Sequence, residues 1–180
     1  MTQKHLYLTG MSGAGKSTVL NLFEEQGAGV WYTGSVIPSG HASKITYGVT
    51  MGPTNFIQEA TNHAVQLHED KELLVIDSIR SPEELRYVRK QPETAGVVAV
   101  ICGYEERIQR INNRDKDKTI DGILLRDRID LGFESPFDVG KIVALADYYI
   151  NTQQSKQIIK QQIADVYQEV ITNERIRKKI

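Results

Sequence analysis

Only one cysteine occurs among the 180 residues, so the chain cannot close a disulfide on itself. Cys102 lies in the apolar run VVAVIC, where a buried thiol in a reducing compartment is expected. No run of apolar residues approaches the roughly 20 needed to span a membrane, so no membrane partner is expected. The opening MTQKHLYLTG passes into a strand pattern without the apolar stretch of a secretory signal. A cytoplasmic chain is the expectation. Charge of one sign is also missing: 22 Lys and Arg against 23 Asp and Glu leave a formal net charge of −1, and no global positive field gathers nucleic acid. His63 and His68 have no Cys or His partner at zinc-site spacing, which argues against a zinc site. Two further absences matter for function. The chain has no N-K-x-D sequence, and it has no Asp, Glu or Arg between residues 30 and 58.

What is present suits a single α/β domain. Hydrophobic residues make up 40% and charged residues 25%, ordinary values for a chain long enough to bury its own core. Short β-rich runs, HLYLT (5–9), GVWYT (29–33), ELLVIDS (72–78), GVVAVICG (96–103) and YYIN (148–151), alternate with helical patterns. ELLVIDS and GVVAVICG are continuously apolar, as strands covered on both faces are. Helices are predicted over 16–26, 55–70, 81–90, 104–114, 120–131 and 155–172, with a shorter one before residue 148. At 81–90, Ser81, Pro82 and Glu84 spell a helix start: cap, first-turn proline and capping-box acid. The reading is a P-loop NTPase fold, a five-stranded mostly parallel sheet flanked by helices with a short lid.

The stretch GMSGAGKST carries the chemistry. Gly10 to Ser17 satisfy G-x-x-x-x-G-K-[ST], whose glycines turn the backbone so that its N–H groups face phosphate oxygens. The helix that follows adds its positive end, roughly half a charge. Gly10, Ser12, Gly13, Ala14, Gly15, Lys16, Ser17 and Thr18 are thus the expected ATP-binding loop. Lys16 reaches the β- and γ-phosphates and the Ser17 hydroxyl is a Mg²⁺ ligand. Asp77, closing LLVID, is the expected second metal ligand if its strand neighbours the P-loop strand.

Three uses of the phosphate compete. A Ras-like switch needs D-x-x-G and N-K-x-D, whereas this chain has Asp77-Ser78-Ile79-Arg80 and no N-K-x-D. Motor ATPases generally need a larger chain. A small kinase gathers arginines around the transferred group, and here arginines recur. Arg107, Arg110 and Arg114 share a helical face in YEERIQRINNR, and Arg126 follows in LLRDRIDLG. Arg110, Arg114 and Arg126 are read as lid cations, and Arg107 and Arg128 as surface charges.

The segments LTGMSGAGKST, LLVIDSIRSPEEL, RINNR with LLRDRIDLG, and VGKIVALADYYINT, in this order, make the chain resemble the small P-loop kinases of the nucleoside monophosphate kinase and dephospho-CoA kinase group. The likeness is greatest to the archaeal adenylate-kinase-related branch and covers roughly residues 4–170. The resemblance implies ATP as donor with Mg²⁺, Arg80 as an acceptor-phosphate contact, and Arg110, Arg114 and Arg126 as lid and post-lid arginines. It also places the loop opened by Asn151 beside the adenine. It implies an acceptor-binding insertion at about 34–70 and a lid at about 112–128. Lys16, Asp77, Arg114 and Arg126 form the expected catalytic set.

The resemblance breaks after the second strand. Relatives carry an acid and an arginine there, but this chain reads YTGSVIPSGHASK, leaving Lys44, His41 and Arg80 as substitutes toward an acceptor. Trp31, Tyr32, Tyr47 and Phe56 offer a stacking wall for a base, shared with the core. The favoured reading is a monomeric or homodimeric kinase moving the γ-phosphoryl group to a nucleotide or nucleotide-like small molecule. The alternatives are an ATP-binding regulatory module with a degenerate acceptor site, and a kinase acting on nucleic acid bases or ends. The last is less favoured because the stretch 34–52 offers only Lys44 as a cation.

Overall fold

The protein is described by a computed structural model covering residues 3–32, 50–77, 79–114 and 119–172. In chain order the elements are β1 (Lys4–Thr9), α1 (Lys16–Glu25), β2 (Gly29–Tyr32), α2 (Pro53–Leu67), β3 (Leu73–Asp77), α3 (Pro82–Val88) and β4 (Thr94–Ile101). There follow α4 (Tyr104–Arg114), α5 (Ile120–Asp130), α6 (Val139–Ala144), β5 (Tyr148–Asn151) and α7 (Lys156–Thr172). The strands form one sheet in the order β2-β3-β1-β4-β5, every pair parallel.

Side-chain alternation along β1 explains the layers. Leu6 and Leu8 join the core with Val19, Leu20 and Phe23 of α1 and Ile159 and Ile163 of α7. Tyr7 points the other way, into a second core with Ile57 and Ala64 of α2, Leu85 and Val88 of α3, and Ile142 of α6. Covered on both faces, the three central strands have no need of a polar face, hence their unbroken apolar runs.

Parallel register aligns the carboxyl ends of the strands. Leu8 of β1 and Tyr32 of β2 both pair with Asp77, so the loop after β1 and the acid ending β3 emerge side by side. Two bonds extend this alignment past the strands: Ile79 N–H donates to Leu8 O at 2.9 Å and Thr9 Oγ1 donates to Ile79 O at 3.0 Å. The capping box predicted for α3 is formed, with Glu84 N–H donating to Ser81 Oγ at 3.1 Å and Ser81 N–H to Glu84 Oε2 at 2.7 Å. The same carboxylate oxygen accepts from Arg80 N–H at 2.6 Å.

Two expected boundaries move. The helix expected at 55–70 runs from Pro53 and ends at the cap His68, whose extended φ of −131° stops it. The strand expected at 96–103 starts at Thr94 and ends at Ile101. Cys102 therefore lies just past the strand, partly buried against the α1–α7 core rather than inside it.

Candidate functional site

The phosphate loop follows β1 with no spare residue. Gly10 has φ +143°, and a Cβ there would sit 2.4 Å from the carbonyl oxygen of Val100 in β4, so only glycine passes. Gly15, at φ +96°, caps α1 in the left-handed region, leaving the first-turn N–H groups facing outward. Ser17 and Thr18 are exposed on that first turn. Lys16 folds back on its own loop, its ammonium donating to Gly10 O at 2.6 Å and Met11 O at 3.2 Å.

Helix α4 and the turn after β5 brace this loop from outside. Arg107 Nη1 donates to Ser12 O at 2.6 Å and pairs with Asp127 of α5 through two hydrogen bonds of 3.2 and 2.5 Å. Arg107 and Asp127 are 6% and 8% exposed. The reading of Arg107 as a surface charge is therefore corrected. Its aliphatic stem and guanidinium are buried because the P-loop carbonyl and the carboxylate both accept from it. Arg110 donates through Nη1 to Thr152 Oγ1 at 2.9 Å and through Nη2 to Thr152 O at 2.8 Å, while its Nε meets Glu106. Thr152 in turn donates to Ala14 O at 2.6 Å. Asn151 uses its side chain locally, Oδ1 accepting from Gln153 N–H at 3.0 Å.

On the opposite side Arg80, Arg126 and Asp130 form a looser group. Arg80 Nη1 reaches Asp130 Oδ1 at 3.5 Å, and Arg126 Nε reaches Asp130 Oδ2 at 3.3 Å. Asp130 is 2% exposed. The backbone of Arg80 is held firmly, its N–H by Glu84 and its carbonyl by Asp138 N–H at 2.8 Å, whereas among the described residues its guanidinium makes only that long contact and lies over Phe137. Arg114, at the end of α4, is exposed and makes no hydrogen bond or ion pair among the described residues.

These groups act on Lys16. Burial, the largest influence, pushes its ammonium down to about 8; Asp77 and Asp130 pull it up, and Arg80 and Arg126 push it down. Two carboxylates and three cations therefore share one low-dielectric space. Burial likewise lowers Arg80, offset by Asp130 and Asp77. Asp77 Oδ1 is buried with no hydrogen-bond partner among the described residues. A buried carboxylate oxygen without a donor is costly, and a hydrated divalent cation is a suitable partner for it. With Ser17 on the first turn of α1, Asp77 supplies a donor set of oxygens that fits Mg²⁺. Among the described residues there is no cluster of three His, Cys, Asp or Glu that could hold a metal by protein ligands alone.

Of the expected site residues, the structure gathers the loop 10–18, Asp77, Arg80, Arg110, Arg126 and Asn151 at one edge of the sheet. Lys44, His41 and Tyr47 lie outside the described residues. Of the expected stacking wall, Phe56 is buried core at 8% exposure. Trp31 stacks on His63 of α2 with centroids 6.1 Å apart and planes at 12°. Tyr32 donates its hydroxyl to Asn21. Asp127, Asp130 and Thr152 were missed. The i, i+4 spacing of Arg126 and Asp130 was a usable signal, but nothing local marks Thr152.

The comparisons with known proteins agree with this architecture. A family model described as an AAA domain matches residues 6–129. A UPF0200 protein of Pyrococcus furiosus is 32% identical over 164 residues, covering 81% of this chain and 86% of the relative. A UPF0200 protein of Methanococcus vannielii is 22% identical and covers 94% and 98%. A third, from Thermoplasma volcanium, is 34% identical over half of each chain. Among solved structures, a gluconokinase of Sinorhizobium meliloti superposes with a TM-score of 0.63 at 13% identity, covering 98% of both chains. The APS kinase of Mycobacterium tuberculosis, in complex with AMPPNP and APS, superposes with a TM-score of 0.60 at 19% identity, covering 92% and 98%. The fold is that of P-loop kinases, and the chain belongs to the AAA-domain family and to the UPF0200 proteins.

Proposed function

We propose that this protein is an ATP-dependent phosphotransferase that moves the γ-phosphoryl group to a nucleotide or nucleotide-like small molecule, in the manner of nucleoside monophosphate and dephospho-CoA kinases. The observation that carries the reading is the pairing of two features at one sheet edge: the unpartnered, buried Asp77 Oδ1 and the underused guanidinium of Arg80. The first suits a metal shell on the donor and the second an anion on the acceptor. The neighbours of similar fold lend support, being named as shikimate, APS and gluconate kinases.

The loop N–H groups and Lys16 hold the β- and γ-phosphates, and Ser17 and Asp77 hold the Mg²⁺, which when bound offsets the charge of the phosphates. Arg126, on the inner side of α5, turns from Asp130 toward the transferred group, and Arg114 closes over it from the end of α4, so the stretch 112–128 acts as a lid. Arg80 binds the acceptor's anionic end. Arg110 and the Asn151–Thr152 turn border the adenine. No general base is required when the acceptor oxygen is already an anion.

The test is ADP release from ATP–Mg²⁺ across ribo- and deoxynucleoside monophosphates, dephospho-CoA and DNA, with Lys16→Ala as control. Stimulation by one acceptor, abolished in the variant, supports the reading and names the substrate class. Tight ATP binding with no stimulated turnover overturns it in favour of a regulatory module.

A further inference from the structure

Helix α5 carries two opposed stripes. Ile123, Asp127 and Asp130 are buried against the body of the protein, and Arg126 lies partly buried between them and the phosphate site. The other stripe, Asp121, Leu124, Leu125 and Arg128, has the i, i+3, i+4, i+7 spacing of a single helical face and is exposed throughout. Leu124 is 40% and Leu125 55% exposed, and Ile120 and Leu131 extend the apolar surface at 62% and 57%. A solvated helix does not need leucines at the centre of its outer face. Beside the stripe opens a cavity of about 720 Å³ walled by Met11, Tyr104, Leu124, Leu125, Arg128 and Leu131. Met11 belongs to the phosphate loop, and the Arg107–Asp127 pair and Asp121 complete the lining.

The charges at the ends of the stripe say what covers it. Asp121 lies three residues before Leu124 and Arg128 three residues after Leu125, so the stripe is antisymmetric about the leucine pair. We infer that it is a homodimer interface, two α5 helices packing antiparallel about a two-fold axis that passes between Leu124 and Leu125. That axis sets Asp121 of one copy opposite Arg128 of the other, twice, with the leucines between them, the self-complementary pattern of an isologous contact. A stable interface needs about 800 Å² from each partner, more than one helix supplies. Tyr104, which lines the same cavity, and Phe133, whose ring lies 3.8 Å beneath the Arg128 guanidinium and leaves the charge at the end of the stripe, are 52% and 48% exposed and widen the patch.

The test is sedimentation of the full chain across the micromolar range, with thermal unfolding as a control for folding. The wild type shows a reversible monomer–dimer equilibrium. Leu125→Glu is monomeric with an unchanged unfolding midpoint. Asp121→Arg and Arg128→Asp each weaken the dimer about tenfold by setting like charges together. The double reversal restores it, and an equimolar mixture of the two single variants forms a heterodimer tighter than either homodimer. A chain that is monomeric at every concentration, a dimer indifferent to Leu125→Glu, or a double reversal no tighter than the singles overturns the proposal. The first of these results assigns the stripe to another partner or to a segment of the same chain.

Discussion

Where α4 and the turn after β5 brace the phosphate loop, the polar groups are tied to other elements: Arg107 to Ser12 and Asp127, Arg110 to Thr152, and Thr152 to Ala14, at 2.5 to 3.2 Å. Across the loop, on the side the proposed function gives to the acceptor, Arg80 and Arg126 share one carboxylate at 3.5 and 3.3 Å and leave most of their donors unused among the described residues. The first region is saturated by protein, so it is preorganised and its residues matter to stability. The second holds partly buried cations with donors to spare, so under the proposed function its residues matter to the reaction. Preorganised donors cost no rearrangement when charge develops, whereas guanidinium groups with spare N–H groups are free to turn onto an incoming anion.

The difference can be broken most forcefully at the Arg107–Asp127 pair. Arg107→Ala leaves a carboxylate buried without its partner and frees the Ser12 carbonyl, at an expected cost of about 3–5 kcal/mol in urea unfolding. An unchanged urea midpoint would show that the brace is not structural. Next, Lys16→Met is expected to reduce kcat/KM about 10²- to 10³-fold or more in a stimulated ADP-release assay, while leaving the fold intact by circular dichroism.

The same variant tests the electrostatics of the loop. The Lys16 ammonium lies at about 8 in the folded chain against 10.5 for the ordinary side chain. Between those values the unfolded chain binds more protons, so this residue makes stability rise with pH through that window, and its full penalty is present below about 8. Denaturation from pH 7 to 10.5 should show the wild type gaining on Lys16→Met by about 1–3 kcal/mol. A flat difference would mean that the amine is well solvated.

Thr152→Val removes a hydroxyl from between Ala14 O and Arg110, with an expected loss of about 1–3 kcal/mol in stability and a raised KM for ATP at little-changed kcat. The smallest effect on stability is expected at Arg126→Gln, about 0.5–1.5 kcal/mol, because the buried Asp130 keeps its contact with Arg80 when the partly exposed Arg126 is lost; its larger effect should appear in kcat. If Arg126→Gln were to unfold the chain, or Thr152→Val to lower kcat alone, the division between a structural donor side and a reactive acceptor side would not hold.

Much of this was legible in the residues. The glycine-rich loop, the apolar central strands and the Ser81–Glu84 capping box are local patterns, each decided within a few neighbouring residues, and each is formed. Arg107 was misread because helix spacing places it on a polar face. Its burial depends on Asp127, 20 residues away. Thr152 was missed for the same kind of reason: Ala14, its hydrogen-bond acceptor, is 138 residues distant in the chain. The outer leucines of α5 were legible as residues but not as a surface.

By itself the sequence determined the phosphate chemistry and the α/β alternation, because a P-loop needs only contiguous glycines, a lysine and a helix start. The tertiary structure alone decided which side chains meet that loop. Parallel register set Asp77 beside it, and the Arg107–Asp127 contact between α4 and α5 buried one arginine as a brace while leaving Arg126 partly exposed. Contacts between elements far apart in sequence depend on how the sheet and helices stack, and no local pattern encodes that.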